Sequence, residues 1–167
     1  MRLKNKVALV TGAGGGLGGA TAKRFAAEGA AVMCTDLNQD KVSAMVAAIN
    51  ADGGTAQALQ VDVGDAQACE EQVSATVERF GRIDIAVNSA GISLHKLVLD
   101  TGLEDWERVL RINLTGSFLT ASLGEVDAVA GAALFLASND CQWITGHSLN
   151  VDGGYGAAGV SYDFLAK

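Results

Sequence analysis

The 167-residue sequence contains no proline, where ordinary usage of about 5% would supply roughly eight. A segment that usually carries prolines is therefore expected to be missing. Cysteine is sparse as well. Cys34, Cys69 and Cys141 are an odd number and lie far apart, which argues against a disulfide framework or a zinc site and for reduced, buried thiols. Positive charge falls short of negative, with 12 Lys and Arg against 19 Asp and Glu and a formal net charge of −7. That balance argues against nucleic acid and an anionic membrane surface as partners, since both require a basic patch. No apolar run approaches the roughly 18 residues of a membrane span. The basic N-terminus, Met1-Arg2-Leu3-Lys4-Asn5-Lys6, leads into a strand with no signal-type core or cleavage site, so a cytoplasmic location is expected. His95 sits in a polar loop without an acidic or thiol neighbour, and Cys141 and Trp143 precede a late strand as packing residues.

What is present alternates. Short apolar runs and amphipathic stretches follow one another through the first half, the pattern of a parallel sheet covered on both faces. Strands are expected over 7–10, 31–35, 56–61 and 83–87. A helix from about Leu17 ends at Gly29. Asn38 caps a second helix with Val42, Met45, Val46 and Ile49 on one face. Asp65 caps a third, with Cys69, Val73, Val77 and Phe80 inward and Gly81 as its stop. Thr101 and Glu104 form a capping box for a fourth helix running through Leu103, Trp106, Leu110 and Phe118. After that the alternation skips a beat: 125–137 reads as helix and 148–151 as a final strand, with no strand between the two helices.

The first strand ends in Thr11-Gly12-Ala13-Gly14-Gly15-Gly16-Leu17-Gly18. A turn placed after a strand and before a helix aims several backbone N–H groups and the positive end of a helix dipole at one spot, which suits a pyrophosphate. Asp36 closes the second strand, where a carboxylate can accept both ribose hydroxyls of NAD and repels the 2′-phosphate of NADP. No Arg or Lys stands at Ala13, Gly14, Gly15, Leu37 or Asn38 to offset that repulsion. Asn113 shares the 4-3-4 rhythm of Trp106, Leu110 and Ser117, and so is expected to turn an amide inward, where it must find partners.

The spacing Thr-Gly-x-x-x-Gly-x-Gly resembles the short-chain dehydrogenase/reductase family, and further matches follow in order. Asp62-Val63 resembles the family's adenine-contacting pair, and Asn88-Ser89-Ala90-Gly91 its Asn-Asn-Ala-Gly signature. Asn113, in Arg111-Ile112-Asn113-Leu114-Thr115-Gly116, resembles the helix asparagine of the catalytic tetrad. Ile144-Thr145-Gly146-His147-Ser148-Leu149-Asn150-Val151-Asp152-Gly153-Gly154 is similar to the last strand and its flanks. The resemblance implies a Rossmann-like, doubly wound α/β fold, NAD as cofactor and a small-molecule alcohol or ketone as substrate, and it allows a homo-oligomer. It also implies cofactor contacts from Gly12, Gly16, Leu17, Gly18, Asp36, Asp62, Val63 and Asn88. Asn113 would be the catalytic residue, its main-chain carbonyl holding a water in a proton relay; a purely structural amide bridge is the alternative.

Family members work through a tyrosine acid/base with a lysine four residues on, and a serine that polarises the substrate oxygen. No Tyr-x-x-x-Lys exists here: Tyr155 has glycine at that spacing, and Tyr162 reaches Lys167 one residue late. The segment from Ser117 to Ala121 resembles the end of the family's fourth helix, whereas 123–130 resembles its penultimate segment. The resemblance thus implies an incomplete sheet with two strands, a long helix and the catalytic serine, tyrosine and lysine missing. Residues 1–121 are expected to form the NAD-binding portion and 122–167 a C-terminal segment of the same domain. If the chain is continuous there, 148–151 is expected to pair with 83–87. Three readings stay open: an NAD-dependent oxidoreductase of this family, a non-catalytic NAD-binding module, and a nonfunctional truncated product.

Overall fold

Four runs rich in apolar and β-branched residues form the sheet in a computed structural model that describes residues 1–121. The strands are β1 (Val7–Thr11), β2 (Ala31–Asp36), β3 (Thr55–Gln60) and β4 (Ile85–Asn88). All pairings are parallel and the order is β3-β2-β1-β4. A strand buried on both faces reads as a continuous apolar run, and every residue of β1 is indeed buried. Helices α1 (Gly16–Ala27), α2 (Gln39–Ala51) and α3 (Ala66–Phe80) connect the strands, followed by α4 (Leu103–Leu110), a π-helical turn at Arg111–Thr115 and α5 (Gly116–Ala121). The expected Rossmann-like parallel sheet is present.

Alternation along the strands sends side chains to two cores. Ala8, Val10, Val32 and Cys34 pack with Ala22 and Ala26 of α1 and Val42 and Ile49 of α2. On the second core, Val61, Val63 and Cys69 gather Ile112 and Leu119. A buried polar chain joins β2, α3 and α5. The Thr35 hydroxyl donates to Gln72 Oε1 at 3.1 Å, and Gln72 Nε2 donates to Thr120 Oγ1 at 3.5 Å. Register brings Thr11 opposite both Thr35 and Asn88, so the carboxyl ends of β2, β1 and β4 lie side by side. The chain winds outward from β1 through β2 to β3, then crosses to β4 on the other side. Such a reversal opens a crevice at the carboxyl edge.

Caps and stops largely follow expectation. The Asn38 side chain accepts from Lys41 N–H, and Asp65 from the N–H groups of Gln67 and Ala68. Gly81 closes α3 in the left-handed conformation. Three expectations fail. Val77 is 44% exposed, and Gln72 and Thr76 take the inward positions beside Cys69, because hydrogen bonds satisfy these polar groups inside. The Thr101–Glu104 capping box does not form. Thr101 Oγ1 instead donates back to Leu97 O at 3.0 Å, and α4 starts at Leu103 after an N-cap at Gly102. The expected fourth helix is also interrupted by the π-helical turn, which rotates the following face. After it Phe118 is exposed whereas Gly116 and Thr120 are buried, and ahead of it Leu103 and Trp106 are already exposed. Strand bounds move by one or two residues, most at β4, where the Asp84 carboxylate leaves the strand to accept Val7 N–H at 2.8 Å. The expected helix at 125–137, the strand at 148–151 and its pairing with 83–87 lie outside the described residues.

Candidate functional site

The carboxyl edge is built from the end of β1. Thr11 is buried, and its hydroxyl accepts the N–H groups of Ser89 and Ala90, each at 3.1 Å. One side chain therefore ties the glycine-rich turn to the loop after β4. Gly12 makes the approach feasible: it holds φ +65°, and a Cβ there would lie 2.8 Å from Ala90 Cα and N. Any larger residue would pry two backbones apart. At Gly18 a Cβ would lie 2.4 Å from the Gly12 carbonyl oxygen, so only glycine lets α1 lie flat against the turn.

Beyond that contact the turn opens. A Cβ on Gly15 or Gly16 would meet nothing within 4 Å. No side chain caps α1 and no acid stands in its first turn, which leaves its N-terminal N–H groups and positive dipole end available to an anion. The open cradle fits the pyrophosphate of a dinucleotide. Leu17, next in the helix, is 85% exposed. Asp36, at the end of β2, stands at the mouth of this turn. Its Oδ2 accepts Gly14 N–H and its Oδ1 accepts Asn38 N–H, both at 2.9 Å. Each carboxylate oxygen keeps a second lone pair, so the fixed carboxylate can still accept two hydroxyls.

The remaining residues follow β3 and β4. Asp62 Oδ1 accepts Gly64 N–H at 2.8 Å, and Oδ2 accepts Arg111 Nη1 at 3.2 Å. Val63 is buried, and a Cβ on Gly116 would lie 2.9 Å from its carbonyl oxygen. The loop after β3 is thus fastened to the helical segment that carries Asn113. Asn113, within the π-helical turn, is exposed, contrary to the rhythm-based expectation, as is Trp106 earlier on the same face. It nonetheless finds two partners. Its Nδ2 donates to Ile92 O and its Oδ1 accepts Ile92 N–H, both at 2.8 Å. Its own carbonyl accepts the Ser117 hydroxyl at 2.8 Å. The side chain is therefore an amide bridge that splints the loop after β4. Asn88 Nδ2 adds a 3.3 Å bond to Ser117 O.

The structure gathers Gly12, Gly16, Gly18 and Asp36 around the turn, and Asn88 and Asn113 around the loop after β4, with Asp62 joined through Arg111. Sequence reasoning missed three residues. Thr11 had a signal, as the last strand residue before the turn. Arg111 pairs with Asp62 across a long separation and had none. Lys41 had only its place three residues past Asn38: its Cβ lies 2.9 Å from where Gly14 would carry one, as does Asp36 Oδ2. Burial pushes the Cys34 thiol up to about 12 and raises Cys69, which makes both inert packing residues. Among the described residues no group of His, Cys, Asp and Glu can hold a metal ion, and no helix is long and apolar enough to cross a membrane.

Residues 6–143 match a family model described as short chain dehydrogenase. The chain is 48% identical over 114 residues to the short-chain reductase protein NovJ of Streptomyces niveus, covering 68% of this chain and 44% of that protein. It is 40% identical over 140 residues to the D-threitol dehydrogenase of Mycolicibacterium smegmatis, covering 82% and 54%. A solved dehydrogenase/reductase from Sinorhizobium meliloti superposes with a TM-score of 0.69 at 41% identity, over 71% of this chain and 47% of that one. The chain thus spans about half the length of these relatives.

Proposed function

Because this chain belongs to the short-chain dehydrogenase family, we propose that it is an NAD-binding polypeptide derived from an oxidoreductase that moves hydride between NAD and a small alcohol or carbonyl compound. The observation that carries the reading is the Asp36 carboxylate, bonded to Gly14 N–H beside the uncapped start of α1. Pyrophosphate charge would rest on the N–H groups at Gly16, Leu17 and Gly18. Asp36 would accept the adenosine ribose hydroxyls, and its charge would repel a 2′-phosphate. Asp62 and Val63 would border the adenine. Asn88 and Asn113 would keep the loop after β4 in place for the nicotinamide end, with the Asn113 carbonyl positioning a water. A bound nicotinamide cofactor supplies the hydride acceptor or donor. Small-molecule dehydrogenases such as the D-threitol enzyme are among the relatives, and they support a small alcohol or ketone as substrate. Residues 122–167 would complete the same domain as 1–121.

These 167 residues contain no Tyr-x-x-x-Lys. A cofactor-binding module without turnover is therefore the form of the reading we favour, and the intact cradle favours it over a nonfunctional product. Titration calorimetry tests the cofactor site. NAD should bind more tightly than NADP, and Asp36→Ala should weaken NAD about tenfold by removing charge-assisted hydrogen bonds. Equal or tighter NADP binding, or unchanged NAD affinity in the variant, overturns the assignment.

A further inference from the structure

Lys41 occupies an unfavourable place for its helix. It lies in the first turn of α2, three residues past the Asn38 cap, where a Glu or Gln would complete a capping box and where the helix dipole disfavours a cation. Among the described residues its ammonium has no carboxylate partner. Its backbone is nevertheless held firmly. Lys41 N–H donates to Asn38 Oδ1 at 3.0 Å, and Asn38 N–H donates to Asp36 Oδ1 at 2.9 Å. Two hydrogen bonds thus link this lysine to the carboxylate at the mouth of the glycine-rich turn. Gly14 closes the triangle, since a Cβ there would sit 2.9 Å from both Asp36 Oδ2 and Lys41 Cβ. The exposed four-carbon stem leaves the ammonium free to swing over the same opening.

We infer that Lys41 is a specificity-determining residue at the adenosine-ribose end of the site, where its cation offsets Asp36 and lets the cofactor site tolerate a 2′-phosphate. The inference rests on the cofactor reading above. Asp36 sets the preference for a free ribose, and Lys41 sets how wide that preference is. A phosphate dianion gains from a nearby ammonium, whereas two neutral hydroxyls gain little, so the two ligands respond unequally to loss of the lysine.

Titration calorimetry on the full chain, with adenosine 2′,5′-bisphosphate and AMP as paired probes, separates the effects. Lys41→Gln should weaken the bisphosphate about three- to tenfold and AMP less than about twofold, an effect that shrinks as salt screens the charge. Lys41→Arg should retain the wild-type ratio of the two affinities. An unchanged ratio in Lys41→Gln, or equal weakening of both probes, overturns the assignment of Lys41. If NAD binding is Asp36-dependent while that ratio stays fixed, only this inference falls. If the wild-type chain binds neither NAD nor AMP, the cofactor reading falls with it.

Discussion

Gln72 has no exposed surface, yet it is a polar side chain on a helix face that a hydrophobic count would assign to Val73 and Val77. It is admitted there because both ends of its amide are used, one accepting from Thr35 and the other donating to Thr120. Removing it strands the buried Thr35 hydroxyl and opens a cavity, while Thr120 keeps its bond to Gly116 O. Gln72→Ala should therefore lower unfolding free energy by about 2–4 kcal/mol. Val77→Ala, at a half-exposed position, should cost under about 1 kcal/mol. Urea denaturation of both variants checks the order, and a larger loss at Val77 contradicts the packing described. The same pair of residues marks where sequence falls short. Apolar letters at helical spacing locate a buried face only when its polar members are visible too, and a satisfied glutamine looks like a solvent-facing one. Asp36 and Gly12 were legible for the opposite reason. Their positions follow from backbone geometry at a strand end, which is local in sequence, whereas the Arg111–Asp62 pair depends on tertiary approach.

At the level of elements, the entry of β1 is locked to that of β4. Asp84 accepts Val7 N–H at 2.8 Å and pairs with Lys6 and Arg82, while its own N–H donates to Val7 O at 2.9 Å. Burial pushes the Asp84 carboxyl up, but the Val7 hydrogen bond and the Arg82 guanidinium outweigh it and hold the group below its ordinary value of 3.8. A carboxyl lowered in the folded state stabilises the fold above its unfolded pKa, and that stabilisation is lost as pH falls through the lower folded value. Asp84→Asn should thus be less stable than wild type near neutrality, with the difference narrowing as pH falls below the ordinary carboxyl value of 3.8. Thermal melts from pH 7 to pH 2 measure it; a gap that stays constant across the range contradicts the charge-based account. The lock also explains why β4 begins two residues later than its apolar run suggests: Asp84 turns its side chain to the neighbouring strand. Further on, a π-helical turn splits one expected helix, because the apolar rhythm carries no mark for one extra residue in the backbone ring.

For the whole molecule, what the described residues hold together bears on what they can do. Parallel pairing, an open glycine-rich cradle and the Asp36 carboxylate stand together at the carboxyl edge, where the proposed cofactor would rest its adenosine end. At the other end the inventory is short. Around the loop after β4 stand Asn88, Asn113 and Ser117, whose amides and hydroxyl are poor acid/bases near neutral pH, and His95, whose Nε2 lies 3.4 Å from Ser93 Oγ. The two tyrosines, Tyr155 and Tyr162, lack a lysine at the spacing that would tune them. A positioned acid/base contributes typically ~10²–10⁴-fold, so loss of the tyrosine should slow the hydride step by about that factor. The chain should accordingly bind NAD yet show no turnover above background with a broad panel of small alcohols and diols. The decisive sample is one whose intact mass equals that of the 167 residues and whose NAD binding is weakened by Asp36→Ala. NADH formation by that sample, abolished in step with cofactor affinity by the same substitution, would refute the prediction and require an acid/base outside the family's tyrosine. A flat trace from a sample that still binds NAD would leave a cofactor module as the function these residues support.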